Sequence, residues 1–537
     1  MTLPSRLRPP RLVAALWALA GLLLVAGWWA GAAAPRTAGA QDPAPADTVA
    51  PAVDTVAPAL EGADTGGAVT VFQDTAGGPA DLAQAGARAA EARRSLETPF
   101  WERLVSLLGL GVMVLLAWAM SVNRRAFPTR IVLWGIALQF IFALLILRTT
   151  PGEQFFALVN TAFIELLDYT RDGARFLFGN LVDNAVPVGM PIGDPPAMSP
   201  VAPEEPARYA ATGSYFAFTV LPTIIFFSSF MTVLYHLGLM QAVVKGVAWV
   251  MQRTMGTSGA ETLSASGNIF VGQTEAPLMI KPFVEKMTMS ELHCVMTGGF
   301  ATVAGGVMAA YVGMLVVFFP DIAGHLLAAS VMSAPAAILI SKVMYPEDGE
   351  PETADTLKAD VPSIDVNVIG AASRGAGEGL SLALNVGAML LAFIALIALI
   401  NGILGWAGGL AGYEGLSLEL VLGWVLAPLA WVMGVPWSDA VQVGSLLGVK
   451  TMVNEFVAFL QLATLLQEGA PLEPRSIVIA TYALCGFANL SSIAIQIGGI
   501  GGIAPSRRSD LSRIGLRAMI GGTLAAFMTA TVAGAIL

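Results

Sequence analysis

The feature that most constrains how this chain folds is a series of long segments that carry no charge at all. They are Leu104–Val122, Ser214–Tyr235, Cys294–Pro320, Gly379–Tyr413, Leu420–Trp437, Ser476–Ser506 and Ala518–Leu537. Several reach the roughly 20 residues that a helix rising about 1.5 Å per residue needs to cross a bilayer. Across 537 residues only 12% are charged and 55% are hydrophobic. That charge content is about half the roughly 25% typical of soluble domains, too little to cover the surface of a soluble enzyme. The chain therefore reads as an all-α polytopic membrane protein whose main surroundings are lipid.

Other totals exclude less. The formal net charge of −10 argues against a nucleic-acid partner, because such surfaces are normally basic. Cys294 and Cys485 both lie in apolar runs and read as small buried side chains rather than a disulfide. His236, His293 and His325 have no metal-ligand spacing. The 57 glycines suit close helix packing and broken helices in lipid.

The start of the chain looks like a targeting segment. Arg6, Arg8 and Arg11 precede the apolar run Leu12–Ala30, and Ala38-Gly39-Ala40 offers a small-residue cleavage site. Residues 1–40 thus read as a signal peptide or an uncleaved anchor. Residues 41–96 are rich in Ala, Pro, Asp and Gly, contain a tandem Asp-Thr-Val-Ala-Pro-Ala repeat at Asp47 and Asp54, and read as a disordered exported tail.

Sidedness follows from the basic residues. Arg124, Arg125 and Arg130, then Lys245 and Arg253, then Arg507, Arg508, Arg513 and Arg517 fall in three groups that the positive-inside rule places in the cytoplasm. The segment Pro151–Gly213, with Asp194, Glu204 and Glu205, then lies outside, as do both termini. The implied location is a cytoplasmic (inner) membrane.

From that start the expected spans are Leu104–Val122, Ile131–Leu147, Ser214–Leu239, Cys294–Pro320, Ile322–Ser341, Leu380–Ile403, Ile477–Ile497 and Ala518–Leu537, eight in all. Phe155, Leu158, Val159, Phe163 and Leu166 recur at helical spacing and predict an amphipathic interfacial helix after the second span. Leu420–Trp437, interrupted by Pro428, reads as a second interfacial helix at the outer face. Two stretches resist this scheme. Glu261–Glu285 holds Asn268, Gln273, Thr274, Glu275 and Pro277, and Val441–Gln467 holds Lys450, Asn454 and Glu455. Apolar segments broken by polar groups at mid-length predict re-entrant hairpins, whose exposed backbone faces protein or a water-filled cavity.

The two hairpins are related. Asn268-Ile-Phe-Val271 is echoed by Asn454-Glu-Phe-Val457, and Gly299-Phe-Ala-Thr302 by Gly486-Phe-Ala-Asn489. The two matches are 31 residues apart in the first copy and 32 in the second, counted from 268 to 299 and from 454 to 486. The first copy follows a cytoplasmic segment and the second an outer one, so the copies are inverted. Inverted repeats with polar broken segments predict a secondary transporter whose site lies near the midplane. Breaking a helix exposes N–H groups at one end and C=O groups at the other, and the carbonyls suit a hard cation.

These residues resemble concentrative nucleoside transporters. The resemblance rests on Gly267-Asn-Ile-Phe-Val-Gly-Gln-Thr-Glu-Ala-Pro277, Met287-Thr-Met-Ser-Glu-Leu-His293, Met296-Thr-Gly-Gly-Phe-Ala-Thr302, Val453-Asn-Glu-Phe-Val-Ala458, Gly486-Phe-Ala-Asn-Leu-Ser-Ser-Ile493 and Gly498-Gly-Ile-Gly501. It covers about Leu104 to Leu537 and leaves out the tail. It implies eight transmembrane helices, two re-entrant hairpins and interfacial helices, assembled as a homotrimer that works by an elevator-like motion. The implied division is scaffold over 97–240 and 378–406, a first transport repeat over 241–345, a cytoplasmic loop over 346–377 and a second transport repeat over 407–537.

Carried onto this chain, the resemblance places Gln273, Thr274 and Glu275 on the nucleobase side and Glu455, Asn489 and Ser492 on the ribose hydroxyls. Phe487 and Val307 would line the pocket. A Na⁺ site would use the side chains of Asn268 and Thr302 and the backbone carbonyls of Val271 and Val303. The residue types agree, because amides, hydroxyls and carboxylates suit a neutral polyhydroxylated solute. Other readings stand beside these. Asn268 and Asn454 can be caps of helix breaks, Asn489 an interhelical hydrogen bond, Phe487 plain packing, and His293 a packing residue. Lys450 reads as a hairpin-end anchor or a neutral pocket residue, and the glycines at 498–502 as helix packing rather than a phosphate loop. The expected function is import of nucleosides coupled to Na⁺, with H⁺ coupling through Glu275 or Glu455 as the rival and a passive channel as a third possibility. No enzyme is expected: a hydrolase would need a pattern such as His-Glu-x-x-His, and none occurs.

Overall fold

The computed structural model describes residues 98–537, except for parts of 183–215, 355–364, 411, 413–414 and 470–471. The segments at 1–40 and 41–96, and Asp194, Glu204 and Glu205, lie outside the described residues. The chain begins with α1 (Phe100–Ala119), α2 (Thr129–Arg148) and α3 (Thr150–Phe178). The Thr149 hydroxyl caps α3 by accepting from the Gly152 N–H at 3.1 Å. Four three-residue strands follow, β1 (Ala185–Pro187), β2 (Met190–Ile192), β3 (Ala197–Ser199) and β4 (Tyr209–Ala211), pairing β1 with β4 and β2 with β3, both antiparallel. The all-α expectation omitted these two small ribbons.

Next come α4 (Phe216–His236) and α5 (Leu239–Met255). The first broken stretch is α6 (Gly259–Gly267), a tip, a 3₁₀ turn at Ala276–Ile280 and the short α7 (Lys281–Val284). Then follow α8 (Met289–Ala301), α9 (Gly305–Leu315), α10 (Ile322–Met344), α11 (Val368–Leu410) and α12 (Leu418–Val432). The second broken stretch is α13 (Trp437–Met452) and α14 (Glu455–Gln467), and the chain closes with α15 (Pro474–Leu484), α16 (Leu490–Ile503) and α17 (Arg508–Ile536).

Among the described residues, seven helices are long and apolar enough to cross a membrane, or eight if the bent pair α12 and α13 is one span. The expected span Cys294–Pro320 is not one helix, since it breaks at Thr302–Ala304 between α8 and α9. Ile477–Ile497 likewise divides into α15 and α16 around Cys485–Asn489. Apolarity alone does not reveal these breaks. The expected Leu380–Ile403 is part of the 43-residue α11. At about 1.5 Å per residue that helix is about 65 Å long, roughly twice a hydrocarbon core. The segment expected as Leu420–Trp437 is α12, which keeps Pro428 inside it and turns through 117° into α13.

Burial divides the helices into two groups. Within the most apolar window of each, Met289–Leu315 is 94% buried, Ile322–Met344 89% and the segment containing α17 83%. By contrast α11 is 22% buried, α1 and α4 28% and α2 33%. Small residues allow the closest approaches. A Cβ on Gly522 of α17 would lie 2.3 Å from the Phe300 Cβ of α8, and one on Gly379 of α11 would lie 2.8 Å from the Ile225 Cα of α4. The amphipathic α3 joins the assembly by stacking Phe163 on Phe227 of α4 at 5.4 Å.

Candidate functional site

The two Gly-Phe-Ala motifs meet at the centre of the buried group. Gly486 has φ of +142°, a conformation that favours glycine. A Cβ there would lie 2.9 Å from the Phe300 carbonyl. The next residue, Phe487, donates its N–H to the Thr302 carbonyl at 3.2 Å. The helix breaks of the two motif copies therefore touch, each satisfying backbone groups the other frees.

One cavity opens beside this crossing. Its lining includes all eight residues expected to contact substrate: Gln273, Thr274, Glu275, Val307, Glu455, Phe487, Asn489 and Ser492. They come from the loop after α6, from α9, from α14, from the α15–α16 break and from α16. Asn489, together with two further lining residues, Ala304 and Asn454, supplies the N-caps of α16, α9 and α14. Their N–H ends favour oxygen acceptors and negative charge in the cavity. The opposite wall is apolar and comes from α11, with Leu382, Val386, Met389 and Leu390. No lysine or arginine is part of the lining.

Glu455 is held at both oxygens. Tyr311 donates its hydroxyl to Oε1 at 3.0 Å and Asn489 donates Nδ2 to Oε2 at 2.9 Å. The Asn489 Oδ1 accepts from the Ser492 N–H at 2.9 Å and from the Ser491 hydroxyl at 2.7 Å, so the amide orientation is fixed. Asn489 is thus both an interhelical hydrogen bond and a cap. Lys450 is fully buried and donates to the Ala483 carbonyl at 2.6 Å, which makes it an anchor between α13 and the end of α15. Glu275 is exposed in the loop between α6 and the 3₁₀ turn, and its carboxylate folds against that loop, 2.1 Å from where a Cβ on Gly272 would sit.

The expected cation ligands surround the same tip. Asn268 is fully buried, yet neither its Oδ1 nor its Nδ2 has a hydrogen-bond partner. Buried amides are normally paired, so two orphaned atoms on one side chain call for a ligand. A Cβ on Gly298 would lie 3.3 Å from that Nδ2, and Thr302, one turn on, donates its hydroxyl to the Gly298 carbonyl at 2.9 Å. Asn268 and Thr302 therefore face one small region. Val271 and Val303 lie in non-helical backbone there, where carbonyls are not committed to a helical ladder. The loop is pinned by Ser330 donating to the Ile269 carbonyl at 2.8 Å and Gly305 N–H donating to the Phe270 carbonyl at 3.1 Å. All four candidate donors carry oxygen, as a hard cation requires.

Sequence reasoning missed several participants. Tyr311 and Gln496 are lone polar residues in apolar runs, which is the signal that would have found them. It also missed a buried ionic cluster at the base of the first broken stretch. Lys342 lies 2.8 Å from Glu261 and 3.0 Å from Glu347, and Ser258 donates to Glu291 at 2.6 Å. His293 is buried and bonded to Ser341 at 2.7 Å, a packing role, and Cys294 and Cys485 are free and buried.

Three family descriptions match the chain: "Na+ dependent nucleoside transporter N-terminus" over residues 108–181, "Nucleoside recognition" over 217–318 and "Na+ dependent nucleoside transporter C-terminus" over 325–534. The chain is 44% identical to an uncharacterized transporter of Haemophilus influenzae over 439 residues, 80% of this chain and 97% of that one. It is 42% identical to sodium/nucleoside cotransporter 1 of Mus musculus over 446 residues, 81% of this chain, and so spans 64% of the mouse protein's length. Among solved structures it resembles CNTnw in an inward-facing substrate-bound state, with TM-score 0.70, 40% identity and coverage of 80% of this chain and 97% of that one. A double mutant of CNTnw in an outward-facing state gives TM-score 0.71, 40% identity and coverage of 81% and 97%.

Proposed function

The chain belongs to the Na⁺-dependent nucleoside transporter family, and from that premise we propose that it imports nucleosides across a cytoplasmic membrane together with Na⁺. It is a transporter rather than an enzyme. The observation that carries the reading is the convergence of all eight candidates, six polar side chains with Phe487 and Val307, from separate stretches of the chain on one cavity without a cationic side chain. A nucleoside offers ribose hydroxyls and base-edge groups but no phosphate. Glu455 can accept from two ribose hydroxyls, with Asn489 and Ser492 beside it, while Gln273, Thr274 and Glu275 meet the base. Phe487 and Val307 supply apolar contact. Buried polar groups left unpaired by a solute lacking a hydroxyl would reject it strongly.

Na⁺ is the co-transported ion in this reading, held by Asn268, Thr302 and the carbonyls of Val271 and Val303. The orphaned Asn268 amide supports that assignment. Moving one positive charge inward across about 100 mV supplies about 2.3 kcal/mol. The fold we infer has eight spans, two re-entrant hairpins in inverted repeats and both termini outside, in keeping with the arginine distribution. The cavity has polar walls from the hairpins and α16 and an apolar wall from α11, an arrangement suited to an elevator in which the polar body slides along a fixed α11. The exposed apolar side chains of α11, Leu391 at 79% and Ile403 at 56%, suit contacts in a homotrimer.

The test is uridine uptake into proteoliposomes under an inward Na⁺ gradient, and separately under an inward H⁺ gradient without Na⁺. Uphill accumulation that requires Na⁺ at fixed pH is expected. Accumulation driven by H⁺ alone would replace the coupling ion, and equilibration without accumulation would mean a channel.

A further inference from the structure

Behind the cavity, α16 buries an amide, Gln496, that does not itself line the cavity. Gln496 is fully buried, in a helix whose neighbours are apolar. Its Nε2 donates to the backbone carbonyl of Met296 at 3.1 Å and to the Gln273 Oε1 at 3.0 Å. Gln273 in turn points its own Nε2 at the Ser492 hydroxyl, 3.4 Å away, on the cavity side.

The polarity of this chain of bonds is set at its far end. A peptide carbonyl can only accept, so the Gln496 atom facing Met296 has to be the NH₂ group. The Gln273 atom facing that NH₂ has to be its oxygen, which leaves the Gln273 NH₂ directed to the cavity. A backbone carbonyl thus fixes the amide orientation of both side chains. Gln496 even leaves its own Oε1 buried and unpaired, a cost that turning the amide over would not remove, because two oxygens would then oppose each other at Met296. The packing also needs Gly299, the first residue of the first Gly-Phe-Ala motif. A Cβ there would lie 2.7 Å from the Gln496 Nε2 and 2.9 Å from the Gln273 Cβ.

We propose that Gln496 is a positioning residue that locks Gln273 as a hydrogen-bond donor, so that this part of the site selects a hydrogen-bond acceptor on the edge of the nucleobase. The inference rests on the nucleoside reading above and adds to it the chemistry of the base contact. Without the lock, Gln273 turns over freely and offers either a donor or an acceptor.

The experiment measures uridine uptake kinetics in proteoliposomes for the wild type, Gln496→Met, Gln273→Ala and the double variant. Wild-type uptake by itself tests the nucleoside reading, so a failure of that reading is seen before any variant is compared. For Gln496→Met, loss of one positioned hydrogen bond predicts a KM raised at least about fivefold, with kcat and the half-saturating Na⁺ within about twofold. In the Gln273→Ala background the same change should alter KM by less than about twofold, since Gln496 acts through Gln273. An unchanged KM, or an equal effect in both backgrounds, overturns the proposal. Should Gln496→Met fail to fold, Gln273→Glu tests the polarity with Gln496 intact. A carboxylate still accepts from Gln496 but presents only an acceptor to the base, and uridine uptake should fall at least about tenfold. Retained uridine uptake in Gln273→Glu would mean that Gln273 faces the cavity with its oxygen, contrary to the proposal.

Discussion

Asn268 and Asn454 occupy matched places in the two halves of the chain, each two residues ahead of a Phe-Val pair, yet their side chains are engaged differently. Asn454 is the N-cap of α14, and its Oδ1 accepts from the Val457 N–H at 2.8 Å. Asn268 stands at the C-terminal end of α6, and its amide meets no partner. Helix polarity accounts for the difference. At an N-terminus, free N–H groups consume an Asn oxygen, whereas at a C-terminus the free groups are carbonyls, which leave that oxygen available and add partial negative charge. A duplicated motif thus yields a cap in one half and, in the function proposed above, a place for a cation in the other. The carboxylates divide the same way: Glu455 is held by Tyr311 and Asn489, while Glu275 lies exposed on a loop.

The roots of the two broken stretches extend the comparison and allow the largest effect to be tested. The first root is ionic, with Lys342 buried between Glu261 and Glu347. The second is held by Asp439, which accepts from the Ser476 hydroxyl at 2.6 Å and the Glu473 N–H at 2.9 Å. Lys342→Met strands a buried carboxylate and should destabilise the protein by about 3–5 kcal/mol, whereas Ser476→Ala should cost about 1–3 kcal/mol. Thermal unfolding in detergent ranks the two. An equal shift would mean that the ionic root is no more critical than the neutral one.

Next in size is Glu455→Gln. Both carboxylate oxygens accept hydrogen bonds, so an amide would set one NH₂ against a donor. Uridine uptake should fall by about 30- to 150-fold, from roughly 2–3 kcal/mol of lost and opposed hydrogen bonding. Full activity would remove Glu455 from the site. The smallest effect is expected for Asn454→Ala, which removes a helix cap and should cost about 1 kcal/mol in unfolding experiments.

The sequence made the helical membrane class, the two polar broken stretches and their relation legible, because charge in lipid is costly and its few occurrences are informative. The resemblance it carries also pointed to Gln273, Thr274, Glu275, Glu455, Asn489 and Ser492 in the polar half of the cavity, though not to Ser491. The breaks at Thr302–Ala304 and Cys485–Asn489 were not legible, since uncharged residues continue through them. Nor was the contact between those breaks, which depends on Gly486 and on tertiary packing. The apolar wall from α11 carries no chemical mark in a uniformly apolar run. The root of the first broken stretch did carry one: Ser258 and Glu261, and Thr288 and Glu291, each have the spacing of a capping box, and both boxes form.

The central claim, that the Asn of one copy of the motif binds the coupling ion and that of the other caps a helix, is tested most directly by the Na⁺ activation curve of uridine uptake in Asn268→Ala and Asn454→Ala. Losing an oxygen ligand should raise the half-saturating Na⁺ of Asn268→Ala by about tenfold or more, while Asn454→Ala should stay within about twofold of wild type. An unshifted curve in Asn268→Ala, or equal shifts in both variants, would contradict the account.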